Sequence, residues 1–239
     1  QWRRLARFER QVCRQADAVV AVSEADALAL RALEATLTSL VVPNGVDVER
    51  YHPQLGDTLP LRHPAIVFTG KMDFRPNVDA ILWFYQQVWP RLKRGAPEAT
   101  LYIVGKSPHR NLKVLREDRQ IVVTGYVEEI LPYFGGADVY IVPLRIGGGT
   151  RLKVLEAMAA GLPLVSTRLG VEGIPLVHGK QALLADGPEE FAQAVLSLLY
   201  DRARAAALGR AARAFVTAHY AWPSLTPPLL ALYAQLIRS

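Results

Sequence analysis

Residues that could bind a phosphate group lie together between Pro143 and Glu156, in the stretch PLRIGGGTRLKVLE. Three consecutive glycines, residues 147–149, come before a predicted helix that carries Arg151, Lys153 and Glu156. A helix N-terminus exposes free amide groups and about half a positive charge, and glycines let a ligand approach the backbone closely. This spacing predicts an anion site.

The surrounding sequence predicts how this site is held. An apolar run at Asp138 to Val142 reads as a strand before the glycines, and the helix after them should end at Gly161. A second loop with Gly70, Lys71 and Arg75 follows another apolar run. Both loops are therefore expected at the carboxyl ends of strands, where ligands bind in parallel α/β sheets.

Composition excludes several classes of protein. With 239 residues, 51% of them hydrophobic and 21% charged, the chain is globular and can bury a full core. Its single cysteine, Cys13, allows no intramolecular disulfide, and no cysteines and histidines have zinc spacing. The formal net charge of +6 favours phosphates, nucleotides or anionic lipid surfaces as partners, without choosing among them.

No apolar run approaches the roughly 18 residues that a membrane span requires, and the arginines after Gln1 do not resemble a signal peptide. We therefore expect a cytoplasmic setting. The missing initiator methionine leads us to expect a fragment.

Alternating elements predict the fold class. Helix-like stretches such as Asn77 to Leu92 lie between most of the apolar runs. This order predicts an α/β fold with a doubly wound, Rossmann-like parallel sheet. The predicted strands are Ala18 to Val22, Ser39 to Val42, Ala65 to Thr69, Thr100 to Val104, Ile121 to Thr124, Asp138 to Val142, Leu162 to Ser166 and Ala182 to Leu184.

A proline-rich stretch without a sustained helix or strand period, from Val42 to Pro64, reads as a linker. The helix, strand and helix before it are too little for an independent domain. After the sheet, the chain from Pro188 reads as helical, and Trp222 with Pro223, followed by Pro227 and Pro228, should divide it into separate helices.

Five segments, in order along nearly the whole chain, resemble the retaining glycosyltransferases of family 4. They are ADAVVAVSEADALALRAL, VVPNGVDVERYHP, VFTGKMDFRPNVDAILWF, IVVTGYVEEILPYFGGADVYIVPL and KVLEAMAAGLPLVST. The resemblance implies the GT-B fold, in which two Rossmann-like domains face each other across a cleft. It also implies a nucleotide-sugar donor bound in the second domain, transfer with retention at the anomeric carbon, and no bound metal or other cofactor.

By this resemblance, residues 1–41 would be the end of the acceptor-binding domain and residues 42–64 the linker. Residues 65–220 would be the donor-binding domain and residues 221–239 a helix that crosses back to the first domain. The rest of that first domain would be a missing partner. The isolated chain should then bind a donor weakly and transfer sugar poorly or not at all.

The resemblance also implies roles for single residues. Glu156 matches the second glutamate of the family's Glu-x7-Glu motif, whose carboxylate binds the donor ribose. Lys71 stands where the family usually has arginine, and Arg75 lies one position short of the usual lysine; both could meet the diphosphate and stabilise its departure. The donor-binding set would be Gly70, Tyr126, Val127, Gly147, Gly148, Gly149, Thr150, Arg151, Leu152, Lys153 and Glu156.

This sequence departs from the family at the first motif glutamate, because eight positions before Glu156 lies Gly148. The sugar, and with it the activity, is left open by this change. Arg151 and Lys153 replace the usual glycine and proline; they could bind phosphate, bind an acidic sugar, or be ordinary exposed cations.

Two alternative functions remain, and a third is excluded. Gly105, Lys106 and Ser107 resemble the end of an ATPase phosphate loop, but the first glycine of that pattern would fall at Thr100, which excludes it. A nucleotide-sugar epimerase can share the two-domain fold, and Gly148 favours a non-catalytic binding module.

A basic helix near the N-terminus could contact the inner face of a membrane or the missing domain, or simply be solvated. We expect no nucleic-acid partner. The arginines of this helix are Arg3, Arg4, Arg7, Arg10 and Arg14.

Overall fold

A computed structural model describes residues 2–54 and 58–238. A six-stranded, wholly parallel sheet in the order β5-β4-β3-β6-β7-β8 forms its centre, and β1 pairs with β2 in a separate parallel pair. The strands are β1 (Val19–Ala21), β2 (Ser39–Val41), β3 (Ala65–Thr69), β4 (Thr100–Val104), β5 (Ile121–Gly125), β6 (Val139–Val142), β7 (Leu164–Ser166) and β8 (Leu183–Leu184). All eight predicted strands are confirmed within two residues at either end.

Helices lie before, between and after the strands. They are α1 (Trp2–Gln15), α2 (Glu24–Leu33), α3 (Arg75–Trp83), α4 (Trp89–Gly95), α5 (Leu131–Gly135), α6 (Leu152–Ala159), α7 (Pro188–Tyr200), α8 (Arg202–Tyr220) and α9 (Trp222–Arg238). Shorter 3₁₀ segments span Arg110–Glu117 and Leu169–Val171. No helix in the described part of the chain is long and apolar enough to cross a membrane.

The large sheet is covered on both faces, as the apolar strands predict. Every residue of β3 is buried: Ile66 and Phe68 pack on the face covered by α3, α4 and α7, and Ala65 and Val67 pack on the face covered by α5, α6 and the end of α8. Alternating side chains of a strand point to opposite faces, so a continuous apolar run is what a strand buried on both sides needs.

The predicted helix from Asn77 to Leu92 consists of α3, a π-helical turn at Phe84–Val88 and α4. Pro90 explains the interruption. It has no N–H to donate, and its ring would clash with the carbonyl of Gln86 in a continuous α-helix. The wider turn before it avoids the clash and keeps Phe84 and Val88 buried.

The prediction that Pro227 and Pro228 break the C-terminal tail is wrong. A new helix does begin at Trp222, but α9 continues through both prolines to Arg238. Both prolines are exposed and lie in the first half of the helix. Because proline has no N–H, the carbonyls four residues earlier, on Pro223 and Ser224, lose their usual helical hydrogen bonds, and these two residues are also exposed. Because water can satisfy those carbonyls, the helix tolerates the prolines.

The domain limits at residues 41, 64 and 220 stay predictions. Residues 55–57 of the predicted linker, together with residues 1 and 239, lie outside the described residues. The first part of the linker contacts the junction between α8 and α9, where Val46 forms a bridge with Ala221.

Candidate functional site

A cavity of about 300 Å³ lies at the carboxyl ends of β3, β4 and β5. Its wall combines strand ends with one side of α6. This is the edge where ligands bind in open parallel sheets. The lining residues are Thr69, Gly70, Lys71, Val104, Gly105, Lys106, Tyr126, Val127, Ile130, Lys153 and Glu156.

The floor of the cavity requires glycine at two positions. Gly70 and Gly105 follow β3 and β4, and their backbones approach so closely that a Cβ on Gly105 would lie 1.8 Å from the carbonyl oxygen of Gly70. Such a distance excludes any side chain there. The two loops therefore form one continuous backbone surface.

Lys153 is the cation nearest to this floor. Its ammonium donates to the carbonyl of Thr69 at 2.6 Å and to Asn77 Oδ1 at 2.8 Å, and lies 4.2 Å from the centre of the Phe68 ring. Burial lowers the pKa of Lys153 to about 7, against the opposing effect of the Glu156 charge. A nearby anion would favour the charged form.

Glu156 lies one turn further along α6 and is half-buried. Its Oε1 accepts a hydrogen bond from the Tyr51 hydroxyl at 3.1 Å. Burial raises the pKa of Glu156, while the Tyr51 hydrogen bond and the charges of Lys153 and Arg50 act in the opposite direction. The carboxylate can therefore accept further hydrogen bonds from hydroxyl groups in the cavity.

Two exposed lysines complete the cavity. The Lys71 ammonium forms a solvent-exposed ion pair with Asp73 at 3.3 Å. Such a pair is weak, so a ligand can replace it. Lys106 lies on the β4 side. These flexible ammonium groups can follow an anion as it enters.

The glycine loop lies beside this cavity and does not line it. Arg151 is the residue before α6 rather than part of it, and its side chain turns back to donate to the carbonyl of Gly148 at 2.7 Å. Its Nε and Nη2 atoms are buried without a hydrogen-bond partner among the described residues. Gly147 and Gly149 have φ values of 106° and 81°, which glycine adopts most readily.

The structure divides the predicted site residues into two groups. Gly70, Lys71, Tyr126, Val127, Lys153 and Glu156 line the cavity. Outside its lining are Arg75, Gly147, Gly148, Gly149, Thr150, Arg151 and Leu152. Arg75 is exposed at the first residue of α3, and Leu152 is 50% exposed. The roles of both groups stay predictions.

Three residues of this region are not among the predicted site residues. Lys106 belongs to the excluded phosphate-loop pattern, and its position after β4 is the sequence signal that marks it as a site residue. Asn77 and Tyr51 gave no such signal, because their contacts with Lys153 and Glu156 join residues 76 and 105 positions apart.

A larger cavity of about 590 Å³ lies between β1, β2 and α9. Two of its three charged lining residues, Arg14 and Glu34, already pair with each other at 2.6 Å, and the third is Asp17. Within the residues that the structure describes, no three histidine, cysteine, aspartate or glutamate side chains converge as metal ligands. The smaller cavity is therefore the better candidate for chemistry.

Comparison with known proteins identifies a sequence family and a fold. A family model described as Glycosyl transferases group 1 matches residues 63–201. The GDP-mannose-dependent alpha-(1-6)-phosphatidylinositol monomannoside mannosyltransferase of Mycobacterium tuberculosis (strain H37Rv) is 31% identical over 210 residues, or 79% of this chain and 54% of that protein. The chain thus spans about half the length of this relative.

Solved structures agree in fold. Sucrose-phosphate synthase from Thermosynechococcus elongatus matches with a TM-score of 0.78 and 22% identity, covering 98% of this chain and 61% of that one. Anabaena HepE in complex with UDP-glucose matches with a TM-score of 0.71 and 18% identity, covering 92% and 64%. The predicted α/β fold class is confirmed.

Proposed function

The chain belongs to the glycosyl transferases group 1 family, and we propose that it is the donor-binding half of an enzyme that transfers a sugar from a nucleoside-diphosphate sugar to an acceptor. As the sequence resemblance implies, the transfer would be of the family 4 type, with retention at the anomeric carbon. The donor would bind without a metal ion.

One observation carries this proposal: a single cavity at the carboxyl edge of the sheet combines a carboxylate with several cations. Glu156 would accept hydrogen bonds from the ribose hydroxyls, while Lys71, Lys106 and Lys153 would face the diphosphate. The named relatives support the choice of ligand, since one uses GDP-mannose and another was solved with UDP-glucose.

The cations would also act in the transfer step. When the bond between the sugar and the diphosphate breaks, negative charge grows on the departing phosphate oxygens. Ammonium groups already placed around these oxygens stabilise that charge more than the bound ground state. Lys71 is the principal candidate, because its side chain is exposed at the cavity and, within the part of the chain that the structure describes, is paired with Asp73 alone. Arg75 would join it by extending from the start of α3.

The glycine loop would bind the far side of the donor. Residues 147–149 have no side chains, and the loop ends at the N-terminus of α6, whose amides attract negative charge. Arg151 has two buried nitrogens without a partner among the described residues, and they would gain acceptors if the loop opened toward a phosphate or an acidic sugar.

We further propose that a first domain, not part of this chain, carries the acceptor. Two facts support it: the chain spans about half of its relatives, and α1 buries none of its residues while it exposes Trp2, Leu5 and Phe8. Without that domain the chain would bind donors weakly and transfer little sugar. The arginines of α1 would meet this domain or the inner face of a membrane, in the cytoplasm.

Calorimetric titration of the chain with UDP, GDP and ADP tests the proposal. Selective binding of one nucleotide should weaken about tenfold or more in Lys71→Ala and in Glu156→Gln, because each change removes a charge-assisted hydrogen bond. Lys113→Ala and Glu98→Gln, at exposed positions away from the cavity, are the matched controls. A folded sample that binds none of the three nucleotides, or site variants that behave like the controls, would contradict it.

A further inference from the structure

Tyr51 lies in the segment between the two sheets, outside every helix and strand, yet it contacts Glu156, one of the residues that line the donor cavity. Its hydroxyl donates to Glu156 Oε1 at 3.1 Å. Tyr51 does not itself line the cavity. Among the described residues, no hydrogen bond engages the other carboxylate oxygen of Glu156, so that oxygen can accept one from a ligand.

The backbone of Tyr51 is fixed to the helix that carries Glu156. The Arg213 guanidinium, from α8, donates to the carbonyl of Tyr51 at 2.9 Å and to that of Val48 at 3.2 Å. The same guanidinium also donates to the carbonyl of Ala159, the last residue of α6. One side chain therefore joins the segment and α6.

The ring of Tyr51 is also held by packing. Its centre lies 6.2 Å from the Phe134 ring, and Phe134 in turn packs edge-on against the buried Tyr140. A phenol with both its backbone and its ring fixed gives its hydrogen bond a defined direction. Such a group can select one orientation of the flexible Glu156 side chain.

The protonation states suit this role. Burial raises the pKa of Tyr51 to about 12, so its hydroxyl keeps its proton near neutral pH and acts as the donor. A hydrogen bond donated to a carboxylate favours the ionised form, which opposes the effect of burial on the pKa of Glu156. The charged and titratable groups around Glu156 are Lys153 on α6, Arg50 beside Tyr51, Tyr140 on β6, and Lys71 and Lys106 across the cavity.

We propose that Tyr51 is a positioning residue for ribose recognition: it holds the Glu156 carboxylate, ionised and oriented, so that its free oxygen can accept hydrogen bonds from the ribose hydroxyls of the donor. This inference rests on the proposed donor-binding function. It makes the segment between the two sheets a part of the donor site, so the placement of that segment affects how tightly a nucleotide binds.

Tyr51→Phe removes the hydroxyl and keeps the ring, and it is the decisive variant. Tyr133→Phe is the matched control, because its half-buried phenol makes no hydrogen bond within the described residues. Calorimetry between pH 5.5 and 8 would use UDP, GDP and ADP and the 2′-deoxy form of whichever binds best.

We expect Tyr51→Phe to weaken the ribonucleotide about five- to tenfold and the deoxynucleotide much less. The acidic limb of the affinity profile should move to higher pH, because Glu156 loses a bond to its ionised form. Equal losses for both nucleotides, or an unchanged affinity and profile, would overturn the inference. So would a wild-type chain that binds both nucleotides alike.

A measurement without ligand separates this inference from the proposed function. Carbon-13 NMR of the Glu156 carboxyl in the free chain should give a higher pKa in Tyr51→Phe than in wild type, with Tyr133→Phe unchanged. An unchanged pKa in Tyr51→Phe means that Tyr51 does not control Glu156. A raised pKa in a chain that binds no nucleotide supports the hydrogen bond and rejects both the ribose role and the proposed function.

Discussion

The two parallel sheets of this chain follow the same local pattern and reach different degrees of burial. Among residues 2–41, all of which the structure describes, only Ala21 and Ala27 are buried. In the six-stranded sheet, by contrast, every residue of β3, β4 and β6 is buried. Both regions alternate apolar strands with helices.

A strand–helix pattern in the sequence therefore specifies the type of element but not how deeply that element is buried. The pair β1-β2 has three residues in each strand, and Trp2, Phe8 and Leu28 remain exposed around it. A two-stranded sheet has too little apolar area to be stable alone, whereas six strands between two helical layers form a complete core. Each region therefore has its own expected response to mutation.

The largest difference in stability between the six-stranded sheet and the N-terminal region is expected when a phenylalanine in each is replaced by alanine. Phe191 is buried and packs edge-on against Trp83 and Phe84, with ring centres 5.9 Å apart in both pairs. Phe191→Ala should lower the free energy of unfolding by about 3–5 kcal/mol, while Phe8→Ala should change it by less than about 0.5 kcal/mol. Urea denaturation measures both. An equal loss in the two variants would mean that the N-terminal region has a core of its own.

The next contrast concerns arginines that bind carbonyl groups. Arg213→Met leaves three backbone carbonyls without their donor and should reduce the free energy of unfolding by about 2–3 kcal/mol. Arg10 in the N-terminal region donates to the exposed carbonyl of Leu33, where water can replace it. Arg10→Met should therefore leave the urea midpoint unchanged. A large shift would mean that the Arg10 hydrogen bond stabilises the fold as much as those of Arg213 do.

The free energy of unfolding should also depend on pH through Lys153, which lies on α6, one of the helices that cover the large sheet. The pKa of Lys153 is lowered to about 7 in the folded state, so above pH 7 the unfolded chain binds more protons and stability rises with pH. The slope between pH 7 and 9 should be at most about 1.4 kcal/mol per pH unit. Lys153→Met should remove it, and a slope that persists in this variant would assign it to other groups.

The smallest contrast is at the helix ends. Gly161, after α6, has a φ of 71°, with the N–H groups of Gly161 and Leu162 bonded to the carbonyls of Met158 and Ala157. Gly161→Ala should lower the free energy of unfolding by about 1 kcal/mol. Helix α2 instead is followed by Glu34 in an extended conformation, so it needs no glycine there. Gly187→Ala, at an ordinary φ of −84°, is the control and should change stability less in the same urea measurement.

The elements were largely predictable. Continuous apolar runs marked the strands, and Gly161 marked the end of α6, because both signals act through neighbouring residues. The π-helical turn before Pro90 and the continuous helix through Pro227 were not predicted. In both cases the local backbone conformation depends on whether the neighbouring residues are buried or exposed, and the local sequence does not specify that burial.

The candidate site was predictable only in part. Lys71, Lys153 and Glu156 were found because each lies in a recognisable segment after a strand or on the helix that follows. The glycine loop is the strongest phosphate-binding motif in the sequence, yet the cavity lies beside it, on the ends of β3, β4 and β5. Which strand ends adjoin is a property of sheet order, and the sequence does not contain that order directly.

The parallel α/β class, the eight strands and the residue types that could bind a nucleotide sugar were evident from the amino-acid sequence. These properties depend on apolar periodicity and short spacings, which are local. The contact of Tyr51 with Glu156, the link that Arg213 forms between their two segments and the lowered pKa of Lys153 are visible only in the folded chain. Hydrogen-bond geometry and desolvation depend on atoms brought together from distant parts of the chain, so they exist only once the chain is folded.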